Sequence, residues 1–88
     1  MRTIYKYPVN LTGFTTVHLP IFGKIVRVGL DPSANICFWV EMNLGDELFP
    51  RSFCIIGTGH EIPDDFNHIG SFSDGPFIWH MYMNGELK

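Results

Sequence analysis

Gly57-Thr58-Gly59-His60 is the segment of this chain whose residue types point most directly at chemistry. Two glycines around a threonine permit positive φ and let another group approach the backbone closely. Consecutive amides in such a turn can cradle an anion, with His60 as a further donor and Arg27 or Arg51 supplying charge. The Gly-Lys-Ser/Thr ending of a phosphate-binding P-loop is absent. The plainer reading, which the residue types favour, is a tight bend after a strand in which Thr58 and His60 bond the local backbone.

Other reactive groups are scattered. The histidines are His18, His60, His68 and His80, with no two within five residues of each other. Zinc takes three or four N, S or O ligands, often with two close in sequence. Cys37 and Cys54 do not form a C-x-x-C pair, so no metal site is expected unless folding assembles one from His60, His68, His80 and Asp64. Cys54, Ser52, Ser71 and Ser73 are the candidate nucleophiles, with His60 or His68 as base. No Gly-x-Ser-x-Gly elbow is present, and neither cysteine has a cationic neighbour in sequence to activate it. Asp64 and Asp65 point in different directions on an extended backbone. No catalytic residue is therefore assigned and no cofactor is expected. The remaining candidates are aromatic: Trp39, Trp79 and Tyr82, with Tyr5 and Tyr7. These rings either fill the core or form an exterior patch for a partner, since Trp and Tyr supply large contact area at low entropic cost.

The elements that position these residues read as strands. Nine glycines and six prolines are spread at short intervals, which leaves no long window with helical periodicity. Alternation or β-branching marks Thr3 to Tyr7, Thr15 to Leu19, Lys24 to Leu30, Ile36 to Met42, Arg51 to Ile56, Ile69 to Phe72 and Phe77 to Tyr82. Asp31-Pro32-Ser33-Ala34-Asn35 is a turn in which Asp accepts backbone bonds and Pro presets φ. It joins a hairpin with Val26, Val28 and Leu30 inward on one strand and Ile36, Phe38, Val40 and Met42 inward on the other. A second hairpin turns at Ser73-Asp74-Gly75-Pro76, and both faces of its return strand are apolar enough for a central position. Residues 63–67 have room for at most one helical turn, because Pro63 followed by Asp suits a helix start. The expected fold is all-β: residues 1–88 as a single small antiparallel sandwich or partly open barrel of about six to seven short strands.

Composition excludes several classes. The chain has 88 residues, 45% hydrophobic, 15% aromatic and 17% charged, which suits one core and opposes disorder. The net charge is −3 and the basic residues are dispersed, so nucleic-acid binding is disfavoured. No run approaches the ~20 apolar residues of a membrane helix, and the N-terminus lacks the apolar run of a signal peptide. Both cysteines sit in apolar stretches and read as buried free thiols.

Ile4-Tyr5-Lys6-Tyr7-Pro8, Phe53-Cys54-Ile55-Ile56-Gly57-Thr58-Gly59-His60-Glu61-Ile62, Ile69-Gly70-Ser71-Phe72 and Phe77-Ile78-Trp79-His80-Met81-Tyr82 form a distinctive set. Together they resemble a family of small accessory proteins encoded by tailed bacteriophages and prophages. The resemblance covers most of the chain, with little of it in Leu11 to Phe22 and Asn43 to Arg51. It implies a protein of the host bacterial cytoplasm and brings no catalytic residue with it. By analogy with such accessory proteins, the expected function is non-enzymatic binding and inhibition of a host protein or defence complex, in the manner of an anti-CRISPR inhibitor. The alternative is sequestration of a small anionic ligand, such as a nucleotide signal, at Gly57, Thr58, Gly59 and His60. A small hydrolase using His60 with Asp64 or Asp65 is a third reading. An exposed sheet edge is also compatible with a homodimer.

Overall fold

The strands are short runs separated by turn residues. In the computed structural model, which describes residues 1–85, they are β1 (Arg2–Pro8), β2 (Thr15–Pro20), β3 (Lys24–Leu30), β4 (Ile36–Asn43), β5 (Leu48–Gly57), β6 (Phe66–Asp74) and β7 (Phe77–Asn84). They form two antiparallel sheets of order β1-β4-β3 and β2-β5-β7-β6. No helix occurs among the described residues, and none is therefore long and apolar enough to cross a membrane. The all-β antiparallel class expected from the sequence is the class of the fold, and two separate sheets make it a sandwich.

The inner faces meet in one core. Phe38, Val40 and Met42 of β4 pack with Phe53 of β5, Met81 and Met83 of β7, Leu19 of β2 and Val9. Tyr7 stacks on Phe38 with ring centroids 5.4 Å apart, and Phe38 stacks on Phe53 at 4.3 Å. This three-ring column ties the two sheets together. The alternation read for β4 holds along its length, and β7 is central as expected, between β5 and β6.

Two local expectations are corrected. Val26 does not share the inward face with Val28. The register shifts between Ile25 and Arg27, so Val26 is the extra residue of a bulge and is 45% exposed, while Ile25 turns inward opposite Val40. A bulge reverses the inside-outside order of every residue before it. Residues 63–67 hold no helical turn either. Asp65 has φ +64°, which a right-handed helix does not allow, and Phe66 already belongs to β6.

The turns carry the expected chemistry. Asp74 pairs with Phe77 around Gly75-Pro76, and Gly75 takes φ +56°. Proline cannot follow it with positive φ, so this two-residue hairpin belongs to type II′. At the other hairpin the buried Asp31 carboxylate accepts from the amides of Ser33 and Asn35, both at 2.9 Å, and from Lys6 Nζ at 2.9 Å. The Asn35 amide above all, with the Lys6 ammonium, holds the Asp31 carboxyl well below the usual carboxylate range. Hydrogen bonding and charge from Asp31 raise Lys6. The stabilisation is therefore present above the unfolded carboxyl value near 4 and fades as acid approaches the lower folded value. On the alkaline side it is present below the ordinary lysine value of 10.5 and fades above it. Asp31→Ala is expected to lower Tm at pH 7 by roughly 5–10 °C through the lost turn bonds. The gap from wild type should narrow as pH falls below about 4, and thermal melts across pH check both outcomes.

Candidate functional site

The path from β5 to β6 creates the first candidate site. Both strands pair antiparallel with β7, so they run parallel to each other, and residues 58–65 must travel back along the length of β7. That return begins with a turn at Gly57–His60. The His60 amide donates to the Gly57 carbonyl at 3.0 Å, and Gly59 takes φ +89°. The His60 ring folds back over Gly57, where an added Cβ would lie 2.9 Å from His60 Nδ1 and 3.2 Å from the Trp79 ring. A side chain at position 57 would therefore have to displace the His60 ring and press on Trp79. Gly57, Thr58 and His60 then form one side of a concavity of about 370 Å³, and Pro76, Phe77, Ile78 and Trp79 form the other. Phe77 stacks on Trp79 with centroids 5.7 Å apart. The Trp79 indole Nε1 is buried and has no hydrogen-bond partner.

The outer face of the β2-β5-β7-β6 sheet carries a second cluster. His68 Nε2 lies 2.8 Å from Ser71 Oγ, Ser71 Oγ lies 2.7 Å from His80 Nδ1, and His80 Nε2 lies 3.0 Å from Thr58 Oγ1. Tyr82 presents its ring edge-on to His68 at 5.4 Å. Register explains the cluster: Ser71 sits opposite His80, and His68 opposite Tyr82.

The match to known families now bears on these sites. One family model covers residues 1–88. The chain belongs to DUF7352, a domain of unknown function. No curated protein and no solved structure matches it.

In this DUF7352 domain the residues singled out from sequence separate into distinct places. Gly57, Thr58, His60 and Trp79 come together at one end of the sandwich, and Gly59 completes their turn. Tyr82 faces outward on β7 with the histidines. Trp39 lies on the outer face of the other sheet, where the Arg27 guanidinium sits 4.8 Å over its ring. Trp39, Trp79 and Tyr82 therefore do not make one aromatic patch. Of the groups read as an anion cradle, the His60 amide donates to the Gly57 carbonyl, the Thr58 hydroxyl pairs with His80, and the Arg27 guanidinium lies over Trp39. Arg51 bonds the Pro50 carbonyl, six positions before Gly57 on β5, or roughly 20 Å along an extended strand.

Among the described residues no three His, Cys, Asp or Glu side chains group as metal ligands. Cys37 and Cys54 are buried free thiols, and burial pushes both up from the usual thiol value. They stay protonated at neutral pH and are poor nucleophiles. The sequence offers His80 only as a member of a metal set assembled by folding, and not as a partner of Ser71. The alternation of Ile78, His80 and Tyr82 placed it on a face of β7, but only the hairpin register sets it against Ser71.

Proposed function

We propose that this chain is a non-enzymatic binding protein that engages a partner protein through the concavity between the Gly57–His60 turn and the Phe77 end of β7. One observation carries the reading: Phe77 and Ile78 remain 58% and 46% exposed beside the half-buried Trp79, at the start of β7 and next to the Gly57–His60 turn. Exposed apolar side chains around a shallow pocket suit insertion of a partner's apolar side chain, the usual anatomy of a binding hot spot. The preformed scaffold keeps the ordering cost of binding low.

The resemblance to phage accessory proteins supports a bacterial host protein or defence complex as the partner, with inhibition as the outcome and the host cytoplasm as the place. A photo-reactive residue at position 77 should cross-link one stoichiometric partner from host lysate. Phe77→Asp should then weaken binding to that partner by at least about tenfold while leaving Tm nearly unchanged, because the ring is exposed. Phe22→Asp, at the opposite end and 72% exposed, should bind as wild type. Retained affinity in Phe77→Asp would refute this site.

A further inference from the structure

We propose that Ser71 is a reactive nucleophile, an acyl-acceptor site assembled on the outer sheet face by the chain His68, Ser71, His80 and Thr58. This goes beyond the binding reading, and only Thr58 is common to the two sites.

Residues three apart on a regular strand face opposite sides of a sheet. His68 and Ser71 nevertheless share a face, because the register shift between His68 and Gly70 makes Ile69 an extra residue. The bulge brings a second imidazole to a serine that already faces His80. Ser71 Oγ is then held between two ring nitrogens at 2.8 and 2.7 Å, at the short end of ordinary hydrogen bonds to oxygen. A hydroxyl has one proton, so it donates to one ring and accepts from the other. In one of the two directions the chain can take, Ser71 donates to His80 Nδ1. The ring proton of His80 then sits on Nε2 and is donated to Thr58 Oγ1 at 3.0 Å, while His68 Nε2–H donates to Ser71 Oγ.

In that direction every part has a chemical role. His80 is the base, Thr58 fixes its tautomer, and His68 stabilises negative charge as it develops on the serine oxygen. Nucleophile, base and orienting group in sequence are the arrangement that activates a hydroxyl. Ser71 is exposed, so a reagent reaches it from solvent.

The substrate class is an activated acyl donor, a thioester or an aryl ester. Ser71 Oγ bonds to the acyl carbon and its proton passes to His80 Nδ1. The bond from that carbon to sulfur or to the aryl oxygen breaks, and the leaving group departs with the proton from His80. Ser71 is left as its ester and no oxidant or reductant is needed.

Ser73 provides an internal standard. It is exposed on the same strand and sits opposite Ile78 rather than a histidine. The folded protein is treated with a fluorophosphonate probe and, separately, with p-nitrophenyl acetate, and modified serines are located by peptide mass spectrometry. Ser71 should react at least about tenfold faster than Ser73, a modest share of what a positioned base contributes. His80→Gln should remove that advantage, and Thr58→Val should reduce it while circular dichroism confirms an intact fold. A smaller Ser71-to-Ser73 ratio in the wild type overturns the proposal, as does a folded His80→Gln protein that reacts as fast as wild type. If His80→Gln does not fold, the wild-type ratio decides alone.

Discussion

Phe38→Ala is expected to bring this domain to the edge of unfolding at room temperature. Phe38 is fully buried and is the middle ring of the column from Tyr7 to Phe53. Its removal takes away the transfer free energy of a ring and leaves a cavity that Tyr7 and Phe53, anchored on different sheets, cannot jointly fill. Such truncations cost about 3–5 kcal/mol. Small domains have roughly 5–15 kcal/mol in total, and one of 88 residues lies toward the lower part of that range. The midpoint of thermal unfolding should fall by roughly 15–30 °C. Phe22→Ala is the matched control: the same atoms are deleted from a ring that is 72% exposed, and Tm should move by no more than a few degrees. Phe38→Leu should lie between them, since it keeps most of the volume. Equal melting points for Phe38→Ala and wild type would mean that the two sheets do not share this core.

That core was legible because burial on one face of a strand writes itself into alternate residues. Ile36, Phe38, Val40 and Met42 declare a buried face without reference to any other strand. Asp31 followed by Pro32 marks its turn by side-chain chemistry. Features that depend on pairing between strands were not visible in the same way. Val26 belongs by alternation with Val28, and only the register against β4 shows that it is an extra residue. The same limit hid the cluster at Ser71: without the extra residue Ile69, His68 and Ser71 belong on opposite faces. Pro50 shows the converse. Proline argues against strand, but β5 has a neighbour on one side only at that position, since its pairing with β7 begins at Phe53, and a missing N–H is harmless there. The Gly57–His60 turn was legible as a bend. Its meeting with Trp79 and Phe77 rests on β7 lying beside β5, a fact of sheet order that local pattern does not contain.

Sheet order also explains the second large effect, expected for Gly70→Ala. Of the strands that belong to different sheets, β3 and β6 come closest, although no hydrogen-bonded ladder joins them. A Cβ at Gly70 would lie 2.8 Å from both Cβ and Cγ2 of Val28, well inside van der Waals contact. Val28 is held by its place against the core, so the seam between β3 and β6 must open to admit one methyl group. Overpacking of this kind costs about 1–3 kcal/mol. The consequence goes further than Tm, because the seam covers two strand edges that would otherwise offer unpaired backbone groups to another chain. Gly70→Ala should therefore lower Tm, speed amide exchange in β3 and β6 ahead of β4 and β5, and increase aggregation on heating. Adding Val28→Ala removes Cγ2 but leaves Cβ, so the rescue should be partial, with the double variant losing less stability than the two single variants summed. Strict additivity, or exchange that rises evenly in all strands, would show that the two sheets are not wedged together at this glycine.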